Sequence, residues 1–250
     1  VCGCGIRGIE KTAKGFTFHT KGGDFYATKC IMATGGKTLK KSGSDGSGFL
    51  YLESLGHHII DLVPGLIGLK GKQSFFADIA GIRADVKVDL YIESTHVCSE
   101  QGELQLTNYG ISGIPVFQLS RIATRALSEQ KKVYATLNFV PFWEKEQCLT
   151  YFKERFKKAD EKHIGEALIG FFPEKLIPVL LEESHIKAAK YANRLQTEEL
   201  ERFIDTVQGL RVDITDWNTF DTAQVTAGGV DTDEIDAETM DCLLYTSDAA

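Results

Sequence analysis

The first segment whose residues could do chemistry is a short apolar run that ends in small residues. Residues 31–36 read Ile-Met-Ala-Thr-Gly-Gly. A buried strand with this ending presents bare backbone at the carboxyl edge of a parallel sheet, where open α/β sheets bind ligands. Small residues there let a planar ring or a pyrophosphate approach the backbone closely. An alternative interpretation of the same residues is a tight turn that follows a core strand and binds no ligand.

A second segment of the same kind lies near the other end of the chain. Residues 224–230 read Gln-Val-Thr-Ala-Gly-Gly-Val, again a short strand followed by small residues and a pair of glycines. Two such platforms of bare backbone, so far apart in sequence, are hard to place in one simple domain. They are consistent with a chain that leaves a cofactor-binding domain, forms an inserted domain and then returns.

A glycine-rich loop at residues 42–48, Ser-Gly-Ser-Asp-Gly-Ser-Gly, precedes a predicted short helix. Backbone N–H groups of such a loop can bind a phosphate. The loop follows three lysines, Lys37, Lys40 and Lys41. It lacks the Gly-Lys-Ser/Thr of a Walker loop and does not form a Gly-x-Gly-x-x-Gly fingerprint. A capped helix start is the simpler interpretation.

Histidine and cysteine show none of the spacings that bind metals or build common hydrolase sites. His57 and His58 stand at the start of a predicted strand without a second pair of ligands, and only Cys2 and Cys4 of the six cysteines lie close together. The chain also lacks the Gly-x-Ser-x-Gly and His-Glu-x-x-His motifs. We therefore expect no metal site and reduced, mostly buried thiols.

The composition is that of an ordinary globular protein. The 250 residues carry a formal net charge of −7, and 43 % are hydrophobic. Acidic residues concentrate after Thr197, whereas lysine and arginine form no long stripe interleaved with aromatic residues, so we expect no nucleic-acid partner. No apolar run approaches the roughly 18–20 residues of a membrane span, and no secretory signal is visible. These features predict a cytoplasmic protein without a membrane partner.

Hydrophobic periodicity indicates which elements position these segments. Residues 24–34 are predicted as a strand whose end is buried. Residues 73–140 show the period-2 alternation of strands, interrupted by a helical period over residues 115–130. Over residues 143–208 apolar residues recur at helical spacing, which predicts a bundle of helices, and residues 210–215 read as a further strand.

These motifs, with several others, occur in an order and spacing that resemble one family. The sequence resembles the FAD-dependent oxidoreductases of the BaiN/RdsA type, flavoproteins related to aminoacetone oxidase and to a bile-acid (dehydro-steroid) reductase. The resemblance extends over nearly the whole chain, to about Asp241. The matching segments are residues 31–37, 43–48, 55–57, 64–69, 102–107, 110–115, 119–121, 223–230 and 238–240.

The resemblance implies an α/β fold in which a partial Rossmann-like FAD-binding domain is interrupted by an inserted β-barrel-like plus helical domain. The FAD-binding domain is expected at residues 1–70, and the chain is expected to return to it at residues 218–241. The inserted domain then covers residues 71–217. Residues 242–250 look like translated sequencing adapter and are predicted to be a non-native tail.

The resemblance also implies a cofactor and the residues that contact it. FAD is expected to accept hydride from NAD(P)H, the co-substrate, and to pass it to a small organic substrate. The residues matched to the cofactor site are Ala33, Thr34, Gly35, Gly36, Ala227, Gly228 and Gly229. The first four are expected to approach the cofactor and the last three to lie near the flavin ring. No catalytic acid or base follows from the sequence; Thr226 and His57 are the candidates.

Two parts of the family pattern are absent from this chain. These are the N-terminal Gly-x-Gly-x-x-Gly with its ribose-binding acidic residue, and a second flavin-contacting segment expected after Asp241. We therefore expect an internal fragment that binds FAD weakly or not at all by itself. One alternative is a non-enzymatic binding module built on the middle domain. Another is a sugar- or nucleotide-modifying α/β enzyme that uses residues 42–48 as a phosphate loop.

Overall fold

The computed structural model of the chain describes residues 3–245 and divides into two compact units. One unit is Leu66–Asn218. The other comprises the described residues up to Gly65 together with those from Thr219 onward. Most of the residues for which the sequence predicts chemistry lie in this second, discontinuous unit.

Three strands open this discontinuous unit as an antiparallel sheet in sequence order: β1 (Ile6–Thr12), β2 (Gly15–Thr20) and β3 (Gly23–Ala27). The chain then passes through a segment without helix or strand to α1 (Ser47–Ser54) and β4 (Ile59–Gly65). The short helix predicted after the glycine-rich loop is confirmed as α1.

The predicted buried strand over residues 24–34 is wrong in its second half. β3 ends at Ala27, and residues 29–36 have no regular secondary structure. Ile31 is 92 % exposed. A strand buried in a parallel sheet needs partner strands at its edges and cover on both faces. Among the described residues no strand pairs with this segment, so its apolar run stays open to solvent.

The continuous unit contains a closed antiparallel barrel. Its strands are β5 (Leu69–Gly71), β6 (Arg83–Ile92), β7 (Thr95–Thr107), β8 (Gly110–Gly113), β9 (Val133–Asn138) and β10 (Leu210–Trp217). They close in the order β10-β5-β8-β7-β6-β9. Alternate residues of β6, Val86, Val88 and Leu90, are fully buried, as the period of two requires. The β-barrel part of the predicted fold class is confirmed.

Helix α2 (Ile114–Ser128) contacts five of the six barrel strands and contributes to the same core. Its buried residues Val116, Leu119 and Ala123 recur at helical spacing, and Pro115 occupies the first turn. Proline is tolerated there because the first N–H groups of a helix have no intrahelical partner. The helix predicted over residues 115–130 is therefore confirmed.

Four more helices follow: α3 (Lys145–Lys157), α4 (Ile164–Leu168), α5 (Leu176–Glu183) and α6 (Thr197–Gly209). Phe152, Phe156 and Phe203 form the centre of their aromatic core, with ring centroids 5.5–6.2 Å apart. Aromatic rings at these distances pack favourably in tilted or edge-to-face arrangements. The predicted bundle of helices is confirmed.

After β10 the chain returns to the discontinuous unit through β11 (Val225–Val230), which pairs antiparallel with β4. All strand pairs described in this unit are antiparallel. A Rossmann-like domain interrupted by an insertion therefore stays a prediction. No helix within residues 3–245 combines the length and the apolar composition needed to cross a bilayer.

The cysteines that the structure describes are free thiols. Of these, Cys148 is buried, and burial raises its pKa. Cys4, Cys30, Cys98 and Cys242 are partly exposed, so the expectation of mostly buried thiols is wrong. Cys2 and residues 246–250 of the predicted non-native tail lie outside the described residues.

Candidate functional site

The first of the two glycine platforms, residues 33–36, is an open stretch of backbone. Ala33, Thr34 and Gly35 are exposed, and Gly36 is half-buried. Gly35 has φ +73°, a conformation that glycine adopts without strain. A Cβ atom on Gly35 would lie 2.5 Å from Ser44 Oγ, so the glycine is required by a close approach as well as by its backbone angle.

The glycine-rich loop packs directly on this platform. The Gly46 N–H donates to the Gly36 carbonyl oxygen at 3.0 Å. A Cβ atom on the buried Gly48 would overlap Thr34 Oγ1. The sequence alone does not show that this loop and residues 33–36 meet, but glycines in both segments are a signal of close backbone contact.

The loop offers poor geometry for a phosphate. Asp45 Oδ1 accepts a hydrogen bond from the Ser47 N–H at 2.9 Å, so a carboxylate already occupies the start of α1. The hydrogen bonds from Ser47 lower the pKa of Asp45, which keeps the carboxylate ionised. A negative charge at this position repels an anion, which disfavours the alternative in which the loop itself binds phosphate.

The second platform, residues 224–230, contacts the first platform through Thr226. Thr226 Oγ1 accepts a hydrogen bond from the Lys37 N–H at 2.8 Å, although 189 residues separate the two in sequence. A Cβ atom on Gly36 would come within 2.5 Å of the same hydroxyl oxygen. The structure therefore places Gly36 and Thr226 side by side, which local sequence patterns do not reveal.

The remaining residues of the second platform follow along β11. Ala227 is half-buried, Gly228 is exposed and Gly229 is buried. The register between β11 and β4 shifts between Ala227 and Gly229, and Gly228 has φ +93°. Register irregularities of this kind re-aim the backbone and are frequent beside functional sites. A Cβ atom on Gly228 would overlap the carbonyl oxygen of Asp61.

Next to the first platform, α1 and β4 border a cavity of about 540 Å³. Lys37 is the single basic residue among the described residues that line it. Other lining residues are Asp45, Ser47, Phe49, Glu53 and Asp61. The cavity thus combines one cation, several carboxylates and an apolar wall.

His57 does not join this group of residues. Its side chain is buried, and its Nδ1 lies 2.7 Å from Glu234 Oε2. The neighbouring His58 donates its backbone N–H to the same carboxylate at 3.0 Å. These hydrogen bonds lower the pKa of Glu234, the larger effect coming from the His58 N–H. His57 therefore connects the start of β4 to the segment after β11, and of the two catalytic candidates only Thr226 lies at the platforms.

A metal site is not evident in the described part of the chain. No three His, Cys, Asp or Glu side chains within residues 3–245 are grouped so that they could hold a metal ion. Pairs of such side chains do meet: His57 Nε2, for example, lies 3.3 Å from Cys242 Sγ. The expectation that the protein uses no metal stays an expectation.

Comparison with protein families gives a match over most of the chain. The family described as HI0933-like protein barrel and H2TH domain matches residues 63–225. This range contains the whole of the unit Leu66–Asn218, includes the last three residues of β4 and ends at the first residue of β11.

Three curated relatives are similar over nearly the whole chain. A 3-dehydro-bile acid delta(4,6)-reductase of Clostridium scindens is 40 % identical over 239 residues, which are 96 % of this chain and 58 % of the relative. A ribosomal RNA dihydrouridine synthase of Escherichia coli is 24 % identical over 94 % of this chain and 56 % of its own length. The ribosomal RNA dihydrouridine synthase of Haemophilus influenzae is also 24 % identical, over 90 % of this chain and 53 % of its own length. The chain thus spans a little over half the length of these relatives.

Proposed function

The chain belongs to the family of HI0933-like proteins with a barrel and H2TH domain, and from this we propose that it is part of a flavin-dependent oxidoreductase. In this proposal the discontinuous unit is the portion of a Rossmann-like FAD-binding domain that the chain contains. The unit Leu66–Asn218 is the inserted domain. The small-molecule substrate and the cytoplasmic location expected from the sequence are parts of the same proposal.

The observation that carries the proposal is the meeting of the two glycine platforms. The Lys37 N–H bonds to Thr226, and the exposed backbone of residues 33–35 continues directly from that contact. Backbone without Cβ atoms accepts a large flat or phosphorylated group at close range. The residues proposed to contact FAD are Ala33, Thr34, Gly35, Gly36, Ala227, Gly228 and Gly229.

The names of the relatives support reduction of a carbon–carbon double bond. One is a delta(4,6)-reductase of a dehydro bile acid, and two are synthases of dihydrouridine. Both names denote addition of hydrogen to an unsaturated ring system. When bound, FAD would supply this chemistry as the carrier of hydride between NAD(P)H and the substrate. The chain's own residues bind and orient the cofactor, and Thr226 holds the two platforms in contact.

The experiment is to purify a version of the protein extended, with its flanking gene sequence, to the length of the reductase relative. We expect it to carry stoichiometric FAD, to lose the flavin absorbance bands when NADH or NADPH is added without oxygen, and to regain them when an unsaturated substrate is added. A protein that folds but takes up no flavin after incubation with FAD would reject the proposal in favour of a non-enzymatic binding module.

A second candidate function is reduction of uridine in RNA. The observation that favours it is the similarity to two ribosomal RNA dihydrouridine synthases over at least 90 % of the chain. The same extended flavoprotein, supplied with NADPH, would be incubated with ribosomal RNA lacking the modification. Mass spectrometry of the digested RNA detects a dihydrouridine as a gain of two hydrogens, and its absence leaves the small-molecule substrate as the proposal.

A further inference from the structure

Residues 29–34 form a largely apolar stretch whose backbone has no partner. Exposure alternates along it: Cys30 and Met32 are half-buried, whereas Ile31 and Ala33 are exposed. A period of two is that of a strand with one face covered. The backbone groups of these residues form no hydrogen bond with any other described residue, and no described strand pairs with them. The stretch therefore has the alternation of a strand while both of its edges remain unpaired.

Both ends of this stretch are held by the rest of the chain. At one end, β3 pairs with β2 as far as Ala27. At the other end, the Gly36 carbonyl oxygen accepts the Gly46 N–H, and a Cβ atom on Gly48 would overlap Thr34 Oγ1. Because the two ends are already fixed, a strand that pairs with this backbone does not have to order a free loop first, which lowers the entropic cost of pairing.

The discontinuous unit that contains this stretch lacks a sizeable core. Ile9, Val63 and Ala223 are the buried hydrophobic side chains that the structure describes in this unit, and the main hydrophobic core lies in the other unit. Larger side chains of the unit, such as Ile31 and Leu50, are exposed. A domain is stabilised by burying apolar side chains in a core of its own. The unit therefore needs further polypeptide to cover its apolar surface.

The length of the relatives indicates where that polypeptide comes from. The similarity to the reductase covers 96 % of this chain but 58 % of the relative. A protein of that length has a large segment beyond the residues of this chain. Such a segment is tethered to the unit, so it pairs without the loss of translational and rotational freedom that a second copy incurs.

We infer that residues 29–34 pair with a strand from the part of the longer polypeptide that lies outside these 250 residues, and that this pairing buries Ile31. Backbone hydrogen bonds add the strand, and apolar contact with Ile31 stabilises it, as in other cases of strand addition to an open edge. The inference rests on the proposed function only in placing the discontinuous unit within a larger domain, and it requires no flavin.

Hydrogen–deuterium exchange of peptides that cover residues 29–34 tests the pairing. The samples are the 250-residue chain and the version extended to the length of the reductase relative, freed of flavin. We expect exchange close to that of an unstructured peptide in the 250-residue chain. In the extended protein we expect exchange to be at least about a hundredfold slower, because paired amides exchange only when the strand opens. Peptides of β9, inside the barrel, should exchange slowly in both samples.

Three results of this measurement overturn the inference. One is equally fast exchange of residues 29–34 in both proteins. Another is slow exchange in the extended protein only after FAD is added, because the cofactor is then the cover. The third is slow exchange already in the 250-residue chain, and its loss on dilution would identify a second copy as the partner.

Ile31→Asp tests the burial of the side chain. In the 250-residue chain the thermal midpoint should stay within about 2 °C, because the side chain is exposed there. In the extended protein it should fall by more than about 5 °C, because an unpaired carboxylate is then buried. Ile31→Val, which stays apolar, should have a much smaller effect. Equal shifts of Ile31→Asp in the two proteins contradict the inference.

A matched control for the charge is Val97→Asp on β7. Val97 is also an exposed apolar residue, but it lies in the unit that has its own core. We expect this variant to shift the thermal midpoints of both proteins equally.

The same extended protein separates this inference from the proposed function. Slow exchange of residues 29–34 in a protein that takes up no FAD would reject the flavin-dependent oxidoreductase and leave the strand pairing standing. Uptake of FAD by a protein in which residues 29–34 exchange freely, with and without the cofactor, would overturn the strand pairing and leave the proposed function standing.

Discussion

At the scale of single residues, the candidate site is built from glycines whose missing Cβ atoms allow backbone segments to touch. Gly36 lies against Thr226, and Gly48 lies against Thr34. Both contacts are possible because glycine has no Cβ atom, which would otherwise overlap the facing threonine. The sequence shows the glycines but not the segments that they face.

Replacing Thr226 by valine tests the contact between the platforms. Valine has nearly the same shape but no oxygen to accept the Lys37 N–H. We expect the variant to be destabilised by about 1 kcal/mol, the usual effect of a lost hydrogen bond at a partly buried site. Chemical denaturation of the chain measures the change, and Thr226→Ser, which keeps the hydroxyl, serves as control. Equal stability of the valine variant and the wild type would show that the bond contributes nothing.

Replacing Gly48 by alanine sets a steric effect against a helical preference. Gly48 lies in the first turn of α1, where alanine is favoured over glycine by about 0.5–1 kcal/mol. The new Cβ would overlap Thr34 Oγ1, and such overpacking costs about 1–3 kcal/mol. We therefore expect net destabilisation in thermal unfolding.

The matched control for this change is Gly165→Ala in α4. No atom lies within 4 Å of the added Cβ there, so we expect a small stabilisation. The double variant Gly48→Ala with Thr34→Gly should recover most of the lost stability, because the overlapping side chain is gone. Destabilisation that persists in the double variant would assign the cost to something other than Thr34.

At the scale of elements, hydrogen bonds connect the two residues before β4 with the segment after β11. The partners are two histidines, His57 and His58, and two carboxylates, Asp231 and Glu234. Glu234 accepts from the His58 N–H and the His57 ring, and Asp231 Oδ2 lies 3.1 Å from His58 Nδ1. Backbone N–H groups are the larger cause of the lowered pKa at both carboxyls, and the histidines add to it. The pairing of the two strands is therefore sensitive to protonation of these acids.

Stability should accordingly fall in acid. Because folding lowers the pKa of Glu234 from its usual 4.5, the carboxylate contributes stability above that pH. This contribution is lost as the pH falls through the lower, folded-state pKa. We expect the midpoint of denaturation to decrease when the pH is lowered below about 4. The decrease should be smaller in Glu234→Gln than in the wild type. Glu238→Gln, an exposed acid nearby, should leave the pH dependence unchanged, and equal profiles for all three proteins would contradict the prediction.

At the scale of the whole molecule, the chain consists of a continuous unit and a discontinuous one. The main hydrophobic core runs from Leu69 to Ile214 and therefore belongs entirely to the continuous unit. A closed barrel leaves no unpaired strand edge, and it adds its buried core to that of the helices. This unit has what a domain needs to fold alone.

We expect a protein of residues 66–218 to fold cooperatively by itself. Its core is complete without the flanking segments, so its thermal midpoint should match one transition of the full chain within a few degrees. Circular dichroism and calorimetry of the two proteins provide the comparison. A molten or aggregated product would show instead that the barrel depends on residues outside Leu66–Asn218.

The sequence by itself determined the local structure of much of this chain. Alternation predicted the strands around Val88, helical spacing predicted the segments that contain Leu119 and Phe203, and paired glycines marked the two platforms. These signals are readable because hydrophobic periodicity follows directly from the geometry of strands and helices.

Only the tertiary structure decided which segments meet. The run that contains Ile31 has the composition of a buried strand, yet no described strand pairs with it and it is exposed. Thr226 lies beside Gly36 and Lys37, whereas His57 binds Glu234 away from them. Propensity and periodicity are properties of neighbouring residues, but strand pairing and hydrogen bonds across 189 residues depend on the path of the whole chain.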